Sequence, residues 1–255
     1  MIPRLSRIGV PVLLLIVWQI LSMGGVIPPR ILPAPSSVMG AFADLIASGA
    51  LGRHMLVSLG RVAAGLAIGI AIGGALALAA GLSRRGETLI DSTVQMLRTI
   101  PVLGLVPLFI LWFGIGEAPK IAMVTLGTLF PIYINLFAGI RGVDPKLVEA
   151  GSIFGLRGWA LIREVILPGA LPSALVGLRY ALGVAWLSII VAEQINADKG
   201  LGYLIMDARE YMRTDIIVVC LLVYALLGLG VDAVIRALER RLLAWRPTFV
   251  EKQTR

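Results

Sequence analysis

Residues Arg141–Pro172 read RGVDPKLVEAGSIFGLRGWALIREVILPGALP. This stretch lies between two long apolar runs, and it alone combines frequent charge, several glycines and amphipathic spacing. Asp144-Pro145 is a helix start, because an aspartate side chain caps a free N–H and proline fits the first helical position. Leu147, Ala150, Gly151 and Phe154 then recur on one helical face, and Gly155 ends the helix. A second helix is expected over Gly158 to Leu167, stopping before Pro168, with Trp159, Ile162 and Ile166 as its apolar stripe. Two short helices with a glycine turn between them make a compact knob with accessible backbone. The competing reading is a solvated loop whose apolar residues pack back on the rest of the chain.

What surrounds the knob sets the fold class. The chain has 255 residues, 58% hydrophobic and only 15% charged, with a mean hydropathy of +0.92. A soluble domain carries about 25% charge, so this is an all-α polytopic membrane protein, with lipid covering most of its surface. A spanning helix needs about 20 apolar residues. Six such runs are read at Gly9–Ile27, Met55–Leu82, Thr88–Phe113, Lys120–Ile140, Ser173–Val191 and Thr214–Ile235. The N-terminal run follows two arginines as a secretory signal would, but no small-residue cleavage site follows, so it is expected to be a retained span. PPRILPAPSS comes next, and Ser36 or Ser37 then starts a surface helix with Val38, Phe42, Leu45, Ile46 and Gly49 on one face. In the second run Gly65, Gly69, Gly73, Ala77 and Gly81 recur every four residues, the spacing of a close helix–helix contact, within one subunit or, as the sharper alternative, between two. Pro101 and Pro107 are expected to kink the third span. Residues 193–213 read as a charged, glycine-containing loop.

Six spans put both termini on one side. With that side cytoplasmic, Arg4, Arg7, Arg84, Arg85, Arg141, Lys146, Arg157, Arg163 and the basic residues from Arg236 onward lie inside. Arg30, Arg53, Lys120, Lys199, Arg209 and Arg213 lie outside. Basic residues accumulate on the cytoplasmic face of membrane proteins, so both termini and Arg141–Pro172 are cytoplasmic. The formal net charge of +8 is topological in this reading, with no nucleic-acid partner. Three segments result: 1–50, the first span with an outer proline-rich and amphipathic segment; 51–245, a five-helix core containing 141–172; and 246–255, a cytoplasmic tail.

Charge inside a span is costly and marks function by default. Arg98, with Gln95 and Thr99, begins the third span and Arg179 lies in the fifth. Either arginine could help an anion across; the structural alternative has them pairing with Asp91 or capping carbonyls freed by prolines. Glu193, at the outer end of the fifth span, reads either as facing an external partner or as sitting in interfacial water. No catalytic residue is identified. The four lysines, Lys120, Lys146, Lys199 and Lys252, do not stand in a phosphate-binding loop. His54 has no metal-binding neighbours in sequence and Cys220 stands alone in an apolar run. The chain is therefore not an enzyme, and needs no cofactor or metal of its own.

The knob resembles a known signature. Permease subunits of bacterial ATP-binding-cassette importers carry E-A-A, three residues, G, nine residues, then I-x-L-P in a cytoplasmic loop. Glu149, Ala150, Gly151, Gly155, Val165, Leu167 and Pro168 stand at that spacing, with Gly151 replacing the second alanine and Val165 the isoleucine. The likeness extends to LPAPSSV (32–38), TVQMLRTIPVLGLVPLFILWFGIGE (93–117), PIYINLFAGIR (131–141), LPGALPSALVGLRYALGVAW (167–186) and LERRLLAW (238–245), which resemble the aliphatic-sulfonate branch of the sulfonate, nitrate and taurine permeases. The resemblance implies a subunit of the bacterial inner membrane that forms the substrate pathway as a homodimer. It implies that the knob docks on a separate ATPase, that two such cytoplasmic subunits bind the ATP, and that a periplasmic binding protein delivers substrate. The alternative is an ion-coupled secondary transporter of a small organic anion, a class that shows repeated halves and intramembrane acids; no repeat is found here.

Overall fold

A computed structural model describes residues 4–245, and among them every regular element is helical. The helices are α1 (Arg4–Met23), α2 (Pro35–Ala47), α3 (Ala50–Gly81), α4 (Arg84–Leu97), α5 (Val102–Phe113), α6 (Glu117–Arg141), α7 (Pro145–Ile153), α8 (Trp159–Ile195), α9 (Leu201–Glu210) and α10 (Thr214–Leu242). Four of them, α3, α6, α8 and α10, are long and apolar enough to cross a membrane. The pair α4–α5 passes the same test only if its two parts count together. The apolar part of α1, Gly9–Met23, is shorter. The expected tail 246–255 lies outside the described residues.

The chain gathers into two compact units. One takes residues up to 59 together with 193–226. Here α2 folds back along α1: the Gln19 amide donates to Ser36 Oγ at 2.9 Å and its oxygen accepts from the Ser36 N–H at 3.1 Å. Helix α2 begins one residue earlier than expected, at Pro35, which has no N–H to leave unpaired. Its buried stripe is Val38, Ala41 and Leu45, while Ile46 is exposed. The stretch 193–213, expected as loop, contains α9, because its apolar residues Leu201, Leu204 and Ile205 are buried on one face.

The second unit, 60–192 and 227 onward, is centred on α6. The four-residue glycine spacing of α3 is a packing seam within the chain. A Cβ on Gly65 would fall 2.6 Å from Val124, one on Gly73 2.7 Å from the Leu129 carbonyl, and one on Gly81 2.8 Å from Ile140. The other side of α6 uses the same device toward α8: a Cβ on Gly127 would meet Ser188 at 2.7 Å and one on Gly139 would meet Ser173 at 2.8 Å. Apolar side chains have no more affinity for one another than for lipid, so close backbone approach carries the packing. Ala77, Ala80, Val94 and Tyr133 close the core between α3, α4 and α6.

The third expected span is broken rather than kinked. Helices α4 and α5 meet at 77°. Pro101, in extended backbone, separates them, while Pro107 falls in the first turn of the α-helical part of α5 and bends nothing. Pro131 is carried inside an unbroken α6.

Candidate functional site

The knob is built by its own local chemistry. Asp144 accepts the Lys146 N–H at 2.9 Å and Pro145 opens α7, as the sequence predicts. At the other end the Leu156 N–H reaches the Gly151 carbonyl at 3.0 Å and the Gly155 N–H reaches Ser152 at 3.1 Å. This is the Schellman pairing, and it requires the left-handed φ of +84° found at Gly155. Gly151 is the buried member of the signature: a Cβ there would stand 3.0 Å from both Leu161 and Val165, so α7 lies directly against the start of α8. The two signature positions that differ from the family pattern, Gly151 and Val165, are thus neighbours. Glu149, Ala150, Gly155 and Pro168 are exposed and Leu167 is half-buried. Leu147, Ile153, Phe154 and Trp159 are also exposed, Phe154 at 86%. These apolar residues do not pack back on the chain.

The second knob helix does not stop before Pro168. After one α-helical turn, Ile162–Ile166 forms a π turn, and the helix continues as Leu167–Asn196. The wider turn shifts the hydrogen-bond register, so that Pro168 falls in the first turn of the following α-helical segment, where a missing N–H is tolerated. The knob and the fifth span are one continuous helix.

The charged positions singled out inside spans separate. Arg98 is exposed in the turn that ends α4. Gln95 donates to Asp91 at 3.2 Å, and Thr99 donates to the Met96 carbonyl at 2.6 Å. Asp91 also accepts from the Tyr133 hydroxyl at 3.0 Å, so the expected Asp91–arginine pair is not made. Arg179 instead donates to Glu239 at 2.9 and 3.0 Å and lies 3.6 Å from Asp232, which also pairs with Arg236.

Two clusters escaped the sequence reading. Glu193 faces neither a partner nor interfacial water; it is 1% exposed. It accepts from Ser58 Oγ at 2.8 Å and from the Gly202 N–H at 2.8 Å, while Ser58 Oγ accepts from the Leu201 N–H at 2.9 Å. His54 Nδ1 accepts from the Gly200 N–H at 3.0 Å and its ring stacks on Tyr203. The first N–H groups of α9 are therefore held by side chains of α3 and the end of α8, with a carboxylate at the positive helix end. The second cluster joins Arg61, Glu117 and Lys120. A charge inside an apolar run and an i,i+3 pair were the only local signs of it. No group of His, Cys, Asp or Glu suited to a metal is found among the described residues.

Comparison with known proteins agrees with this architecture. Residues 65–244 match the family described as binding-protein-dependent transport system inner membrane component. The chain is 51% identical, over 98% of its length and 95% of the relative's, to the Escherichia coli K12 protein named aliphatic sulfonates transport permease SsuC. It is 33% identical to the taurine transport system permease TauC of the same organism, over 93% of this chain and 88% of that one. Among solved structures, an amino acid ABC transporter chain superposes with a TM-score of 0.63 at 20% identity, covering 80% of this chain and 96% of that chain. A chain of the methionine transporter MetNI superposes at 0.57 and 21% identity, covering 71% and 92%.

Proposed function

The chain belongs to the family of binding-protein-dependent transport system inner membrane components, and from that premise we propose that it is the pathway-forming permease subunit of an ATP-driven importer of aliphatic sulfonates. Two copies form the pathway, two separate cytoplasmic subunits bind and hydrolyse ATP, and a periplasmic binding protein hands over substrate. Helix α1, whose 20 residues rise about 30 Å, the broken α4–α5 pair, and α3, α6, α8 and α10 make six passes, with both termini in the cytoplasm of a bacterial inner-membrane protein.

The observation that carries this reading is the knob. Leu147, Ile153, Phe154 and Trp159 are exposed around Glu149 and Gly155, on a basic, polar segment that the charge asymmetry assigns to water rather than lipid. A clustered apolar surface in water marks a partner site, and the resemblance of Glu149–Pro168 to the permease signature supports an ATPase as that partner. Arg98, with Gln95 and Thr99, remains the proposed contact along the pathway. The pairing of Arg179 with Glu239 and Asp232 supports a structural role for that arginine.

The test is reconstitution with the ATPase and binding-protein subunits and measurement of ATP-dependent ethanesulfonate uptake. Glu149→Arg and Gly155→Asp should release or uncouple the ATPase while the membrane bundle still elutes as a folded species. Normal ATPase retention and normal uptake in both variants would show that the docking assignment is wrong. Taurine and nitrate as competitors decide the substrate class.

A further inference from the structure

Between Asp91 and Glu117 the sequence carries a single charge, Arg98. The pairing of α4 with α6 gives its depth. The two helices run antiparallel: Glu87 pairs with Arg141 at 2.8 Å, and one turn on Asp91 accepts from Tyr133. Tyr133 lies about 12 Å along α6 from Arg141, and Arg98 follows Asp91 by about 10 Å more, at the usual helical rise. Helix α6 has 25 residues and is about 37 Å long at that rise. The elbow between α4 and α5 therefore stands near the middle of a membrane-crossing helix.

At that depth the elbow displays what lipid does not tolerate. Arg98, Thr99, Ile100 and Pro101 are all exposed. The helix is interrupted there, and Pro101 brings no N–H. The Arg98 side chain makes no ion pair or hydrogen bond among the described residues, and Asp91, the acid on its own helix, is held by Gln95 and Tyr133. Irregular backbone at membrane depth is found inside protein or lining water, not against acyl chains. An ionised side chain in a span likewise turns to a partner or to a water-filled cavity. Snorkelling moves a charge only by the reach of its side chain, whereas both ends of α6 lie about 15 Å or more away. With no partner in the chain, water is the environment left for Arg98. A cation in a wet cleft with low-dielectric walls concentrates anions, and a guanidinium presents a fork of donors to an oxyanion.

We propose that a water-filled pocket reaches the α4–α5 elbow in the assembled transporter, and that Arg98 makes it a binding site for small oxyanions. This deepens the contact proposed above for Arg98 and rests on that reading for its place in import. The pocket and its charge preference stand apart from transport and are read without it. No acid between Asp91 and Glu117 offsets Arg98, so a sulfonate, phosphonate or carboxylate is drawn in and an ammonium is repelled. The permease then sorts solutes by sign of charge on its own, whatever a binding protein has already sorted.

The experiment uses the full-length chain in its complex with the partner subunits, held in lipid nanodiscs, with and without a non-hydrolysable ATP analogue. Thr99→Cys places a thiol beside Arg98, and Ile100→Cys is the second position should the first fail to assemble. The native Cys220 is buried, and the unsubstituted complex gives the background. Labelling rates are measured for the anionic sulfonatoethyl, the cationic trimethylammonioethyl and the neutral hydroxyethyl methanethiosulfonates, each relative to its rate with free cysteine. The introduced thiol should react in at least one nucleotide state, with the anionic reagent favoured over the cationic one by at least about tenfold. Arg98→Gln should abolish that preference and leave the neutral rate unchanged, while Arg98→Lys should keep most of it. Ethanesulfonate should slow the anionic reagent, and dimethyl sulfone should not. No labelling by any reagent in either state overturns the pocket, whether lipid or a second copy seals the elbow. Labelling without a charge preference, or with one that survives Arg98→Gln, overturns the anion site. Uptake by the native complex is read separately. Sulfonate uptake with a sealed elbow removes the pocket alone, whereas an anion-preferring pocket without sulfonate uptake stands and removes the substrate reading.

Discussion

The seam between α3 and α6 and the knob around α7 are both rich in glycine, and they use it for opposite reasons. At the seam, Gly65, Gly69, Gly73 and Gly81 have ordinary helical backbone, and what they lack is volume; the space a methyl group would need belongs to Val124, Thr128, Leu129 and Ile140. At the knob, Gly155 and Gly158 have open space around them, and what they offer is conformation, with φ of +84° and +54°. The seam is filled by the chain's own side chains. The knob leaves Phe154 and Trp159 exposed. Substitution should therefore fail by crowding in the first and by strain or lost partnership in the second.

The largest effect is expected for Gly69→Leu. A Cβ there already overlaps Thr128 and stands 3.0 Å from the Thr125 carbonyl, and the obstruction includes backbone. Overpacking costs about 1–3 kcal/mol where neighbours can shift, and more here, so folded protein should be nearly absent from fluorescence-detected size exclusion; a normal monodisperse peak would contradict the seam. Next comes Gly155→Ala. A non-glycine residue at left-handed φ costs about 1–2 kcal/mol. The bundle should stay folded while ATPase retention weakens, and a lowered bundle melting temperature with full retention would reverse the distinction between the regions. Gly151→Ala tests the border between them. It gains helix propensity of about 1 kcal/mol and meets Leu161 and Val165 at 3.0 Å, so a net change below about 0.5 kcal/mol is expected in thermal melting; a larger loss would place Gly151 with the seam. The smallest effect belongs to Gly228→Ala, since a Cβ there meets nothing within 4 Å. A slight stabilisation, at most about 1 kcal/mol, should appear in the melting curve. Loss of assembly instead would reveal a second copy packed against that face.

The parts legible in the sequence were those written in local chemistry. Asp144-Pro145, the stop at Gly155 and the four-residue spacing of small residues each act through neighbours within a turn or through one periodic face. The parts missed depend on partners far along the chain. Ser58 and Glu193 are separated by 135 residues, and nothing near Glu193 signals that it is buried against the start of α9. Arg61 meets Glu117 across 56 residues. The structural alternative offered Asp91 as the acid for Arg98 or Arg179, but the acids that Arg179 meets, Asp232 and Glu239, lie on α10. Pro168 misled for a different reason. The rule that proline ends a helix assumes uniform α register, and a π turn placed just before the proline removes the conflict. The broken α4–α5 pair shows the rule holding: the π turn of α4, Glu87–Asp91, lies well before Pro101, the α-helical Ser92–Leu97 comes between them, and the chain bends by 77° at the break that holds the proline.

The π turn at Ile162–Ile166 has a mechanical consequence. Helix α8 runs for 37 residues, about 55 Å at the usual rise, and its irregularities, the π turn, Pro168 and Pro172, all fall in the part nearest the knob. The remainder is a shaft without a soft joint. A force delivered to Trp159 meets compliance first and stiffness after, as in a tool gripped through a wrist. In the docking proposed above, the knob would follow its partner through a small swivel without unwinding the shaft, and only displacement beyond that play would pass along the full length of the helix.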